Sequence, residues 1–199
     1  MSTSINSIAN FYSNVKLCYE PLLYIPFNKG RKIVASELNN HHTTILELGC
    51  NQGQLAKLLT TDSNYLGIDV AKSCINKAIE SFKDRSNIKF INLNGEDSNL
   101  PEESFDAVVM LYVLSVSPNP SKMIYEAFKL LKPGGKLFIV NHFSKAAGLK
   151  RLDQLINKVF FPGVKFYFPI SLINQMKGFN IAKQKKVNFF WTYLELKKT

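Results

Sequence analysis

The chain has 199 residues, of which 46% are hydrophobic and 20% charged, which excludes a disordered polypeptide and suits one domain with its own core. The formal net charge is +10, unevenly placed: residues 1–144 hold 14 Lys/Arg against 13 Asp/Glu, and residues 145–199 hold 11 against two. No run approaches the roughly 18–20 apolar residues of a membrane span.

Taken in chain order, Ile5, Ile8, Tyr12, Val15 and Tyr19 form the stripe of a first helix, which Pro21 should end, because the residue before a proline avoids the α region. Residues 29–39 predict a second helix. Strands and helices then alternate: Thr44–Leu48 strand, Gln54–Leu59 helix, Tyr65–Ile68 strand, Ser73–Phe82 helix, Ile88–Leu93 strand, Asp106–Leu111 strand, Lys122–Leu131 helix and Lys136–Asn141 strand. Such alternation predicts an α/β fold, a parallel sheet with helices on both faces. Ile181–Val187 and Phe189–Lys197 are strand-like with almost nothing between them, which predicts an antiparallel hairpin on the sheet edge. Residues 145–178, rich in Phe and Lys, break the pattern and read as an inserted cap, and residues 1–40 as an N-terminal helical lid, all within one domain.

Glu47-Leu48-Gly49-Cys50-Asn51-Gln52-Gly53 joins the first strand to the following helix. A glycine turn there tolerates φ > 0 and lets backbone N–H groups approach a ligand. Asp69 ends the next strand, 20 residues beyond Gly49, where a Rossmann-type unit places an acid on a ribose. Glu47 has two readings, a cofactor contact or a turn-fixing hydrogen bond. Asp69 likewise reads as a ribose acceptor or as the N-cap of the next helix.

The pattern E-x-G-x-x-x-G resembles the first motif of class I S-adenosylmethionine-dependent methyltransferases. Asn51 stands at the family's middle glycine, a position that asparagine tolerates in the left-handed region. Asn94-Gly95-Glu96-Asp97 with Leu100-Pro101 and Phe105-Asp106 resembles the family's G-D-A…L-P…F-D block, and Leu130-Leu131-Lys132-Pro133-Gly134-Gly135 its L-K-P-G-G turn. Tyr19-Glu20-Pro21, Gly30-Arg31, the segment Val113 to Pro120, Val140-Asn141-His142-Phe143 and Phe168-Pro169 are together similar to bacterial phosphatidylethanolamine N-methyltransferases of the soluble, membrane-associating type. Glu20 and Ser117 replace that family's Asp and Val.

The resemblance implies a Rossmann-like methyltransferase fold with a mostly parallel seven-stranded sheet and an antiparallel edge hairpin. It implies S-adenosylmethionine as cofactor and S-adenosylhomocysteine as product. The cofactor set is Glu47, Gly49, Asn51, Gly53, Asp69, Val70, Glu96, Asp97 and Leu111, with either Glu96 or Asp97 at the adenine. Methyl transfer needs orientation plus removal of a proton from the acceptor. Tyr19, over the cofactor, and His142, at a strand's carboxyl end, are the catalytic candidates; a core aromatic and a structural histidine are the alternatives.

The expected acceptor is phosphatidylethanolamine, with a soluble small molecule or a quinone as the alternative. The lysines of the last quarter face a solvated surface or something anionic. The chain has 22 lysines and 3 arginines, which suits diffuse attraction to an anionic membrane better than bidentate base reading, so no nucleic-acid partner is expected. The cap offers Lys145, Lys150, Arg151, Lys158 and Lys165 among Phe160, Phe161, Phe166, Tyr167 and Phe168 for that membrane. The three cysteines, Cys18, Cys50 and Cys74, match no metal spacing, and His41 and His42 read as a polar loop, so no metal is expected. Met1-Ser2-Thr3-Ser4 lacks the basic start of a secretory signal. A monomer in a reducing cytoplasm, peripherally attached to the inner membrane face, is the expectation.

Overall fold

The computed structural model describes residues 16–40, 44–60, 63–143, 170, 173 and 177–199, with side chains given from Phe27 onward. The lid residues 1–15, His41, His42 and nearly all of the cap therefore lie outside the described residues.

Seven strands form one sheet: β1 (Thr44–Leu48), β2 (Asn64–Ile68), β3 (Ile88–Ile91), β4 (Phe105–Leu111), β5 (Leu131–Asn141), β6 (Phe179–Lys186) and β7 (Thr192–Lys198). Their order is β3-β2-β1-β4-β5-β7-β6. The first five are parallel; β7 is antiparallel to β5 and to β6. The order reverses between β1 and β4, so a crevice opens beyond the carboxyl ends of those two strands.

The period-two alternation of the strands builds two cores. Ile45, Val109, Phe138, Val140 and Tyr193 face one side. There they meet Val34, Ala35 and Leu38 of helix α1 (Lys16–Leu38) and Ile75, Ala78 and Phe82 of helix α2 (Lys72–Ser81) and its C-cap. Leu46, Leu48, Val108, Met110, Leu137, Ile139, Leu194 and Leu196 face the other side, against Met123, Ile124, Ala127 and Leu130 of helix α3 (Pro120–Leu130). Helix α3 starts where its chemistry dictates: the Asn119 side chain accepts the Lys122 N–H at 3.1 Å, and Pro120 takes the first helical position.

Three local expectations change. Helix α1 is continuous across Pro21, since a proline biases its predecessor away from the α region without barring it. The stretch after Gly53 forms only a 3-10 turn, Ala56–Leu58, because Gly53 at φ +73° bends the chain until Leu55. Five residues, Val187 to Trp191, separate β6 from β7, closed by Val187 N–H donating to Trp191 O at 3.0 Å.

Candidate cofactor and acceptor site

The turn after β1 is held by its own backbone. Gly49 and Cys50 N–H groups both donate to Ile68 O, at 2.8 and 3.1 Å, and Gly53 N–H donates to Cys50 O at 2.9 Å. Asn51 N–H donates to Asp69 Oδ2 at 2.9 Å, and Ala71 N–H donates to Asp69 Oδ1 at 2.8 Å. The Gly49, Cys50, Asn51 and Gly53 N–H groups are thus spent on the turn itself.

The glycines serve the turn too. A Cβ on Gly49 would lie 2.5 Å from Val113 Cγ2, and one on Gly53 would lie 2.6 Å from Phe90 Cζ. Both have positive φ, +77° and +73°. Cys50 is buried against Gly67 of β2, where a Cβ would stand 2.8 Å from its Sγ. Burial, then the nearby Glu47 carboxyl, pushes the Cys50 thiol well up, so it packs and does not react.

What the turn presents outward is acceptor chemistry. Asn51 sits at φ +52°, and its side-chain Oδ1 is buried without a hydrogen-bond partner. A buried unsatisfied acceptor is costly, so it marks a place for a donor from a ligand. Asp69 braces the turn with one N–H on each oxygen, and a carboxylate oxygen accepts two hydrogen bonds. An acceptor pair and an orphaned amide oxygen suit the ribose hydroxyls and the ammonium group of S-adenosylmethionine. Val70 follows Asp69, half-buried, and Leu111 closes β4, buried.

Glu47 lies on the α1 face of β1, 4% exposed, and accepts a short hydrogen bond from the Tyr65 hydroxyl. Burial raises its pKa to about 8, against the opposing pull of the Tyr65 hydrogen bond and the Arg31 guanidinium on α1. Its hydrogen bond with Tyr65 ties β1 to β2 at the wall of the crevice.

Glu96 and Asp97 separate cleanly. Glu96 is buried and its Oε1 accepts from Ser117 Oγ at 2.6 Å and Asn119 N–H at 2.9 Å. Asp97 points outward and pairs with Lys122 at 2.9 Å. Ser117, a departure from the family's valine, is therefore the partner of a glutamate that is itself longer than the family's aspartate.

The carboxyl end of β4 holds Tyr112, which the sequence did not single out, and that of β5 holds Asn141, which it named only within a segment. Tyr112 follows β4 at φ +62°, a conformation costly for a tyrosine. Its N–H donates to Val140 O at 2.7 Å and its hydroxyl to Phe27 O of α1 at 2.8 Å. Its ring packs edge-on against Phe27 and Trp191, at centroid distances of 4.4 and 4.8 Å. Asn141, fully buried, donates through Nδ2 to Ser115 Oγ at 3.0 Å and to His142 O at 3.0 Å. It anchors the residue beside it.

His142 stands next to this aromatic group, 6.4 Å from the Trp191 ring. Its Nδ1 lies 2.9 Å from Phe190 O. A carbonyl only accepts, so neutral His142 carries its proton on Nδ1 and its lone pair on Nε2. Tyr19 lies in α1, and its side chain is outside the described set. Among the described residues, no group of three or more His, Cys, Asp or Glu could hold a metal ion.

A family model described as a methyltransferase domain matches residues 46–139, from within β1 into β5. A phosphatidylethanolamine N-methyltransferase from Cereibacter sphaeroides is 27% identical over 121 residues, covering 59% of this chain and 60% of that protein. A ubiquinone biosynthesis O-methyltransferase from Hydrogenovibrio crunogenus is 30% identical over 123 residues, covering 58% of this chain and 51% of that protein. The chain thus spans about half to three fifths of the length of these relatives. The solved [4+2]-cyclase SpnF superposes with a TM-score of 0.71 at 18% identity, covering 85% of this chain and 80% of that one, and shows the fold. Strand order, the braced turn with its acid at β2, and the matched residues 46–139 converge: the chain carries a methyltransferase domain on the class I S-adenosylmethionine-dependent fold.

Proposed function

We propose that the chain transfers a methyl group from S-adenosylmethionine to the amine of an aminophospholipid, phosphatidylethanolamine, at the cytoplasmic face of a membrane. The cofactor supplies an electrophilic methyl on a sulfonium, and S-adenosylhomocysteine leaves. The residues of the chain do the rest. Asp69 and Asn51 hold the polar ends of the cofactor, Glu47 balances its ammonium, and Glu96, the buried one of the two adjacent acids, lies by the adenine.

The observation that carries the reading is His142. Hydrogen-bonded through Nδ1 to Phe190 O, at the end of β5, its neutral ring is held in the tautomer whose basic nitrogen is Nε2, the one suited to the acceptor's proton. An ammonium must lose that proton before its lone pair can attack. Tyr19, in the lid helix, orients the amine. Similarity to the Cereibacter sphaeroides protein supports a lipid amine, as does a lysine-rich final quarter. No helix among the described residues is long and apolar enough to cross a membrane.

Similarity to the Hydrogenovibrio crunogenus protein, at 30% identity, favours a second reading, O-methylation of a quinol-type hydroxyl. His142 would serve there too, since a phenol also gives up a proton. Incubation with methyl-labelled S-adenosylmethionine and a panel of phosphatidylethanolamine, phosphatidylglycerol and demethylated quinols separates the two. Label in mono- or dimethylated phosphatidylethanolamine is the expected result; label only in a quinol moves the assignment to the second reading.

A further inference from the structure

We propose that the β6–β7 hairpin tip and the groove beside it dock the enzyme on an anionic lipid bilayer, with Phe189 entering the membrane. The proposal deepens the lipid reading above by naming the surface that meets the bilayer.

Phe189 is 89% exposed and Phe190 58%, the two most exposed large apolar side chains among the described residues. Their rings pack edge-on at 5.2 Å, so they stand as one apolar unit. Such a pair in water is unfavourable unless something covers it.

The tip is built rather than loose. Asn188 Oδ1 accepts the N–H groups of Phe190 and Trp191 at 2.9 and 2.8 Å. Phe190 O receives the His142 ring, and Trp191 O receives the N–H of Val187 at 3.0 Å. These backbone groups therefore stay satisfied if the tip leaves water, which is what a hydrocarbon environment demands. Val187 is buried and Trp191 packs on Phe27, so the tip is anchored from below while Phe189 points out.

Basic charge lines the adjoining groove. A groove of about 590 Å³ runs between α1 and β6, where Lys29, Lys32 and Lys185 converge with Asn28 and Ser36. Glu37, the acid of that groove, is held by Lys183 at 2.9 Å. Lysines on an edge strand also block edge-to-edge pairing, but that role requires neither the lysines of α1 nor an aromatic tip. Ring surface flanked by convergent ammonium groups matches an anionic headgroup layer over acyl chains. The same tip carbonyl that holds His142 would then place the acceptor site at the lipid surface.

The test is co-sedimentation of the full chain with vesicles of phosphatidylglycerol and phosphatidylcholine, and of phosphatidylcholine alone, at low salt. Phe189→Asp should weaken partitioning at least about tenfold, and Phe189→Trp should keep it. Lys29→Glu with Lys32→Glu should weaken binding to the anionic vesicles by about fivefold per lysine and leave the neutral ones unaffected. S-adenosylhomocysteine affinity should not change in any of them, which reports folding. Wild-type partitioning retained by both the Phe189→Asp and the double lysine variants overturns the proposal, as does a wild-type chain that ignores anionic vesicles. Methylation of phosphatidylethanolamine, measured beside it, keeps the two questions apart. Loss of docking in a protein that methylates no lipid supports the surface and removes the acceptor; lipid methylation with unchanged docking in the variants does the reverse.

Discussion

The hydroxyl of Tyr112 occupies the space that a side chain on Gly30 would need. A Cβ there would overlap that oxygen and lie 2.9 Å from Val140 Cγ1. Gly30 thus lets α1 cross close over the ends of β4 and β5, and lets Tyr112 reach Phe27 O at 2.8 Å. This contact sets the distance between the lid helix and the site.

Gly30→Ala should therefore destabilise the chain by about 1–2 kcal/mol, the cost of overpacking less the helix preference of alanine. Tyr112→Phe removes the overlapping oxygen and should recover much of that loss. In a denaturant-melting double-mutant cycle the pair should couple by about 1 kcal/mol. Additive effects would mean that α1 simply shifts to make room.

The resemblance singled out Gly30-Arg31 without a reason; the reason is Tyr112, which no local pattern announces. A left-handed tyrosine looks like any other residue after a strand, because its φ is imposed by the N–H bond to Val140 O and by the Phe27 contact. Asn51 was legible, since its side chain tolerates the left-handed region that the turn requires. So were the strands, whose alternation is written directly in Ile45, Leu46 and Leu48. The partnership of Glu96 with Ser117 and the bracing of the turn by Asp69 join residues far apart in sequence, and only the fold brings them together.

Asp69 is expected to contribute twice, to the turn and to the ribose. Asp69→Ala should weaken S-adenosylhomocysteine binding by about 1.5–3 kcal/mol, typical of hydrogen bonds to a charged group. Asp69→Asn keeps one oxygen for the Asn51 N–H and should lose less. Calorimetry showing wild-type affinity in the alanine variant would take Asp69 out of the cofactor site.

Glu47 makes the unliganded protein sensitive to alkali. Its pKa is raised from 4.5 to about 8 by burial, so between those values the folded chain keeps a proton that the unfolded chain releases. The unfolded state then binds fewer protons, and stability falls as pH rises through that window, by on the order of 5 kcal/mol in total. Glu47→Gln keeps an acceptor for Tyr65 and removes the titration. Thermal melts should decline from pH 5 to pH 8 in the wild type beyond any decline in the variant. Parallel pH profiles of the two would show that Glu47 is ionised in the fold. A cationic cofactor stabilises the ionised form, so S-adenosylmethionine affinity should rise toward pH 8 and lose part of that rise in Glu47→Gln.

Glu195 is the opposite case, a buried carboxylate kept ionised. It is 1% exposed, yet Lys136 and Lys183 approach it at 2.9 and 3.2 Å and the Tyr193 hydroxyl donates to it at 2.9 Å. Burial alone would raise its pKa; the hydrogen bonds from Lys136, Tyr193 and Lys183 bring it below the usual carboxylate value. A lowered folded pKa gives stability that is present above the unfolded value and is lost as pH falls through the folded one. Glu195→Gln should cost about 2–3 kcal/mol at neutral pH, less than a fully buried pair because both lysines reach solvent. The gap between variant and wild type should close in acid, and a gap that persists there would assign the loss to packing.

The acceptor side rests on His142 and Tyr19. His142→Ala should leave S-adenosylhomocysteine affinity intact and lower turnover by roughly 10²–10⁴-fold, the usual worth of a positioned base. Raising the pH should narrow that deficit, because a more alkaline solution deprotonates an amine without help. A structural histidine would produce a deficit that pH does not move, accompanied by a lower melting temperature. Tyr19→Phe tests the lid: loss of turnover with the cofactor still bound places its hydroxyl at the acceptor. Full turnover in both variants would leave the Phe190-held imidazole as a strut for the hairpin tip and nothing more.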